Sequence, residues 1–298
     1  MLAYHASMIT PLPHWYLLGA GNMGTLAAWY LTRAGHTVTV IKAERSATLE
    51  KNLQLPDGTS ANLSLPVVTP EALPPSIDFL LVAVKTPYSA AALAPVTSHL
   101  HTGSQVLRLQ NGLGALDGLL PDNLTVLEAV STSAVKGQHP HHQIVAENLT
   151  WLGGQANPPD WLATLQAHWP NLQWADEIHT PQWQKLVANA VINPLTAIYD
   201  VPNGEIVDDP ELRKRAERIC AEADRVLQAL DPTWPAQSIE NVLAVARATA
   251  GNTSSMRADR QRGAETEIEV INGWIVKQAN RLGLEVPENQ AVMDVLKR

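Results

Sequence analysis

The chain has 298 residues, which at roughly 150 residues per domain is enough for two domains, each with its own core. With 45% hydrophobic and 17% charged residues it reads as a soluble globular protein, and its apolar runs fall short of the roughly 18 to 20 residues needed to span a bilayer. A formal net charge of −8 argues against nucleic-acid and anionic-membrane partners, which need a positive field, and the single cysteine, Cys220, reads as a packed thiol in a reducing cytoplasm.

Taken in chain order, the stretch before Trp15 lacks the basic start and small-residue cleavage pattern of a secretory signal and reads as an extension ahead of the first strand. Residues 14 to 41 then change period twice: an apolar run (Trp15 to Leu18), a glycine cluster opening a helical pattern that Gly35 stops, and the alternating stretch Thr37 to Ile41. That is strand, helix and parallel strand. Ile77 to Val84 reads as a fully buried parallel strand, with further strands at Ser104–Leu109, Thr125–Val130, Gln143–Ala146 and Thr150–Leu152. His139 to His142 (HPHH) falls at a hairpin turn without a third ligand or a helix-spaced pair, so no metal site is expected. After about Trp174 the apolar residues take helical spacing over Gln182–Ile192, Pro210–Leu230, Ser238–Ala250, Thr266–Leu282 and Gln290–Lys297.

The segment Gly19-Ala20-Gly21-Asn22-Met23-Gly24 matches G-x-G-x-x-G in the setting its mechanism needs, after a strand and opening a helix. The first glycine allows the tight turn, the second lets a pyrophosphate approach the backbone, and the third permits close helix–strand packing, with the helix N-terminus facing the anion. The fold class expected is therefore α/β: an N-terminal Rossmann-type dinucleotide-binding domain over residues 1–176, then an all-α domain over residues 177–298, with a ligand cleft where they pack. At the end of the second strand Lys42 and Arg45 stand where a 2′-phosphate would be read, and Glu44 beside them keeps a ribose 2′-OH reading open.

Lys85 follows the strand ending at Val84, at the carboxyl edge where open α/β sheets bind ligands, and Asn111-Gly112 follows the strand ending at Leu109. Lys185, Asn189 and Asn193 recur at i, i+4 and i+8, one polar row on an otherwise apolar helix. Burying an ammonium and two amides without partners costs several kcal/mol, so such a row points to a ligand. Asn252-Thr253-Ser254-Ser255-Met256 is suited to a carboxylate or to plain N-capping. Glu267 shares a helical face with Ile271 and Trp274, which makes it the acid least suited to simple solvation.

Together and in this order, these motifs resemble those of ketopantoate reductases, along nearly the whole chain from Leu17 to Lys297. The resemblance rests on Gly19–Gly24, Lys85, Asn111-Gly112, K-x-x-x-N-x-x-x-N-P-L-T-A at Lys185–Ala197, P-N-G-E at Pro202–Glu205, N-x-S-S-M at Asn252–Met256 and T-E-I-E-x-I-N-G at Thr266–Gly273. It implies NADPH-dependent reduction of a small 2-oxo acid, 2-dehydropantoate, to (R)-pantoate, by a cytoplasmic monomer or homodimer. It further implies that Lys185 acts on the substrate carbonyl, that Glu267 contacts the reacting region, and that Asn189, Asn193, Asn203, Asn252 and Ser255 hold substrate. Lys85, Asn111 and Ala134 are implied as cofactor contacts. Two other readings stay open: a reductase of another small 2-oxo acid, and a nucleotide-sensing protein without turnover.

Overall fold

A computed structural model describes residues 12–297. The strands are β1 (His14–Leu18), β2 (Thr37–Ile41), β3 (Thr48–Gln54), β4 (Ser60–Val68), β5 (Ile77–Val82), β6 (Leu100–Arg108), β7 (Thr125–Ser131), β8 (Ala134–Gln138), β9 (His141–Ala146), β10 (Thr150–Gly153) and β11 (Leu172–Ala175). Between them run α1 (Asn22–Arg33), α2 (Ser89–Leu93) and α3 (Leu162–Gln166). The second half holds α4 (His179–Tyr199), α5 (Glu205–Asp208), α6 (Pro210–Leu230), α7 (Ser238–Ala248), α8 (Ser255–Gln261), α9 (Asn272–Leu282) and α10 (Pro287–Leu296). Most of the extension read before Trp15 lies outside the described residues. Among the described residues no helix is long and apolar enough to cross a membrane.

The chain forms two compact units. Of the described residues, the first comprises those up to Val84, Leu93–Leu109 and Pro121–Asp176; the second comprises Lys85–Ala92, Gln110–Leu120 and those from Glu177 to Lys297. In the first unit one sheet runs in the order β11-β10-β7-β6-β5-β1-β2-β4-β3-β9-β8. From β7 to β4 the neighbours are parallel, and β1 lies between β2 and β5. The chain order reverses at β1, so the turn after β1 opens at the switch point where such sheets bind ligands. Buried on both faces, β1 and β5 need their apolar runs: Trp15, Leu17, Leu80 and Leu81 are fully buried.

Two strands, β3 and β4, occupy a stretch without an apolar run. Their alternation is carried on one side by Leu49, Lys51 and Leu53, buried in the pattern exposed-buried-exposed, and Asp57-Gly58 lies between them. The strands β8 and β11, also unpredicted, are short, while His139-Pro140 forms the expected hairpin turn between β8 and β9.

The second unit is built on α4, whose residues Leu186, Val187, Ala190, Val191 and Leu195 are buried in one apolar cluster with α6, α7, α9 and α10. Each fully buried Leu or Val among them contributes about 1.5–3 kcal/mol. Two sequence expectations are corrected. The helix predicted to stop at Ile192 continues through Pro194 to Tyr199. The helix predicted from Thr266 begins only at Asn272: Glu267 lies outside it, before a short 3-10 turn over Ile268–Val270. The β-branched run Ile268, Val270, Ile271 disfavours helix, and the Val270 carbonyl accepts the Leu113 N–H at 2.8 Å. Cys220 is buried, and burial pushes its thiol pKa up.

Candidate active site

In the first unit Gly19 takes φ +96°, and a Cβ there would lie 2.3 Å from the Val84 nitrogen. A Cβ on Gly24 would fall 1.9 Å from the Gly19 carbonyl oxygen, whereas one on Gly21 would meet nothing within 4 Å. The turn is thus tight where strand and helix meet and open at Gly21. Helix α1 starts at Asn22 without a side-chain cap and without an acid in its first turn. Its first amides, those of Asn22, Met23 and Gly24, keep their positive end for an anion, so this cradle fits a dinucleotide pyrophosphate.

Lys42 directly follows β2, and its main-chain N–H donates to the Val68 carbonyl at 3.0 Å. Arg45 is exposed, and its charge helps lower the Glu71 pKa, behind Glu71's own hydrogen bonds. Ala134 opens β8, half-buried. Below the glycine turn sits a residue that the motifs did not single out: Lys51, whose ammonium donates to the Ala20 carbonyl at 2.6 Å and to His142 Nε2 at 3.1 Å. The strand alternation Leu49-x-Lys51-x-Leu53 was the signal for it, since it points the lysine to the apolar side.

In the second unit the segments 85–92 and 110–120 join the helices. Glu267, 8% exposed, accepts the Thr86 main-chain N–H at 3.3 Å and the Asn111 side-chain amide at 3.0 Å. These two contacts, and not a helical face shared with Ile271 and Trp274, place its carboxylate. Lys85 pairs with the buried carboxylate of Asp259, which also accepts from Arg262 at 2.6 Å. Asp259 was not predicted; it stands among Arg257, Arg260 and Arg262, and nothing in that spacing points to Lys85.

On α4, Lys185 and Asn189 are half-buried and Asn193 is buried, so the polar row does lie on a largely enclosed helix. One turn further on, Thr196 Oγ1 lies 2.7 Å from Ser254 Oγ, tying α8 to α4. Ser254 caps α8 by accepting the Arg257 N–H, while Ser255 and Asn252 are exposed. Asn203 is anchored by its N–H to the Asn252 carbonyl at 3.1 Å and by Nδ2 to Thr249 at 3.0 Å, yet its buried Oδ1 has no partner. An unpaired buried acceptor of this kind is suited to a ligand hydroxyl.

Comparison with known proteins fixes the relationship. The family model for ketopantoate reductase PanE/ApbA matches residues 15–156, and that for the ketopantoate reductase C-terminal region matches residues 177–298. The chain belongs to the ketopantoate reductase family. It is 32% identical over 287 residues to a 2-dehydropantoate 2-reductase of Shigella flexneri, covering 95% of this chain and 93% of that protein. A 2-dehydropantoate 2-reductase of Archaeoglobus fulgidus is 31% identical over 288 residues, 94% and 96% of the two chains. Among solved structures, the fold is similar to that of a dimeric ketopantoate reductase from Staphylococcus aureus (TM-score 0.82, 19% identity, 95% and 97% coverage). It is also similar to D-mandelate dehydrogenase bound to NADH and anilino(oxo)acetate (TM-score 0.83, 20% identity, 95% and 97% coverage). As a member of the ketopantoate reductase family the chain is an oxidoreductase.

Proposed function

We propose that this oxidoreductase reduces 2-dehydropantoate to (R)-pantoate with NADPH. The observation that carries the reading is the fixing of Glu267 by Thr86 and Asn111, in the same unit as the Lys185, Asn189 and Asn193 row. When bound, the reduced nicotinamide supplies hydride. The glycine turn and the first amides of α1 take the pyrophosphate, with Lys85 and Asn111 completing the cofactor contacts and Lys42 and Arg45 meeting the 2′-phosphate. Lys185 donates a proton to the substrate oxygen as negative charge develops there, and its ammonium stabilises that charge. Glu267 accepts a hydrogen bond from the hydroxyl that forms. Asn189, Asn193, Asn203, Asn252 and Ser255 hold the carboxylate and hydroxyl of the substrate.

The reading is tested by following loss of reduced-nicotinamide absorbance with 2-dehydropantoate and a panel of other 2-oxo acids, with NADPH and with NADH. The expected result is a kcat/KM for 2-dehydropantoate at least about tenfold above the others, worth about 1.4 kcal/mol, and a preference for NADPH. A better 2-oxo acid would make the chain a related reductase. Dinucleotide binding without turnover on any of them would make it a nucleotide-sensing protein.

A further inference from the structure

Lys51 is 2% exposed, and among the described residues no carboxylate lies within 4 Å of its ammonium. A buried cation without an anion is costly, and it persists where something else uses its charge. Its contacts are all directed at the glycine turn. Lys51 Nζ donates to the Ala20 carbonyl, which also accepts from Thr25 Oγ1 at 3.2 Å. Lys51 Nζ donates as well to His142 Nε2, while His142 Nδ1 donates to Asn22 Oδ1 at 2.8 Å. In a trans peptide the carbonyl and the following N–H point in opposite directions. Holding the Ala20 carbonyl down therefore aims the Gly21 N–H away from Lys51, and Gly21 is the glycine of the turn at which a Cβ would meet nothing within 4 Å.

We propose that Lys51 is a positioning residue for the dinucleotide, gripping the turn through Ala20 and, with His142, through Asn22, and serving as the buried counter-charge of the pyrophosphate. This rests on the dinucleotide reading of the glycine turn. The charged or titratable groups facing Lys51 are Lys42 after β2, His142 on β9 and His139 in the hairpin turn, with His141 beside His142; β4 brings none. Burial, helped by Lys42, lowers the Lys51 pKa to about 8, and burial holds His142 neutral down to about 4. The ammonium is thus present below about pH 8 and lost above it, whereas His142 does not titrate in that range. Dinucleotide affinity weakens as pH rises through about 8, and at higher pH binding draws in a proton.

The test measures dissociation constants for NADPH and NADH by titration calorimetry between about pH 7 and 9.5, in buffers of different ionisation enthalpy. In the unaltered protein both affinities should fall by about tenfold across that range, one pKa unit of coupling, with proton uptake greatest between about pH 8 and 9. Lys51→Met should lose about tenfold for both dinucleotides at pH 7, with a flat pH profile and no uptake. Lys51→Arg, charged throughout, should bind without proton uptake and keep its affinity at high pH, which decides the matter if the methionine variant does not fold. Loss confined to NADPH would assign the charge to the 2′-phosphate and overturn the proposal, as would proton uptake that survives either substitution. Tight binding unaffected by Lys51 overturns this inference alone; absence of dinucleotide binding in the unaltered protein overturns the cofactor reading with it.

Discussion

Asn272 supplies the hydrogen bond that Pro194 withholds from Ala190. Residue 194 should donate its N–H to the carbonyl four residues earlier, and proline has none to give. Asn272 Nδ2, fully buried at the start of α9, donates to the Ala190 carbonyl at 2.9 Å and to Asn289 Oδ1 at 3.1 Å. Asn289 in turn donates to Glu222 at 2.8 Å. Helix α4 therefore stays continuous past the proline and is fastened to α6, α9 and α10 while carrying Lys185, Asn189 and Asn193.

Replacing Asn272 by Leu should strip donors from the Ala190 carbonyl and from Asn289 together. The expected loss is about 2–3 kcal/mol of unfolding free energy, measured by denaturant titration. Stability equal to the parent's would mean that the proline break costs α4 nothing.

Lys185→Ala should lower kcat by roughly 10² to 10⁴ while the NADPH dissociation constant stays the same. Single-turnover kinetics with 2-dehydropantoate separate the two quantities. Near-normal turnover would remove the lysine from the proton transfer.

Glu267 is expected to behave differently from Lys185, because it orients Asn111 and, in the proposed function, also meets the product hydroxyl. Glu267→Gln leaves one acceptor for two donors, and Glu267→Ala leaves none. KM should rise and kcat should fall together, each by about tenfold or more in the alanine variant, as suits lost hydrogen bonds to a charged group. Unchanged kinetics in both variants would make Glu267 a structural carboxylate.

His36 gives the first unit a sensitivity to acid. Its Nδ1 accepts the Trp15 indole N–H at 3.1 Å, and its buried Nε2 has no partner. Burial lowers its pKa to about 4, from 6.5 in an ordinary setting. Because the unfolded chain takes up the proton first, the stability due to neutral His36 is complete above about pH 6.5 and is lost as pH falls towards 4, by up to about 3 kcal/mol. Denaturant midpoints over that range should fall more shallowly in His36→Gln, although His142, similarly lowered to about 4, keeps part of the slope. Equal slopes in parent and variant would show that His36 does not carry the effect.

Legibility in the sequence followed physical strength. The glycine turn, the buried strands β1 and β5 and the bounds of α6 came from strong periodicity and steric demand. The strands β3 and β4 did not, because their outward faces are polar and only alternate residues are buried. For Glu267, helical spacing pointed to an enclosed acid, but its actual setting depends on Thr86 and Asn111, more than 150 residues away in the chain. The pairing of Lys85 with Asp259 has the same origin. Local pattern carries no information on such meetings, whereas the polar row of α4 lies within one helix and could be read directly.

The grouping of Lys85–Ala92 and Gln110–Leu120 with the helices bears on any attempt to divide this polypeptide. A fragment beginning at Glu177 would contain every helix from α4 onward, yet Glu267 would lose both its donors and Asp259 would lose Lys85. The acid of the helical unit is thus set by side chains and amides translated early, on loops that leave β5 and β6. Co-expressed halves of the gene should regain activity only when the first half brings those loops, and substitutions at Thr86 or Asn111 should register in the chemistry attributed to Glu267.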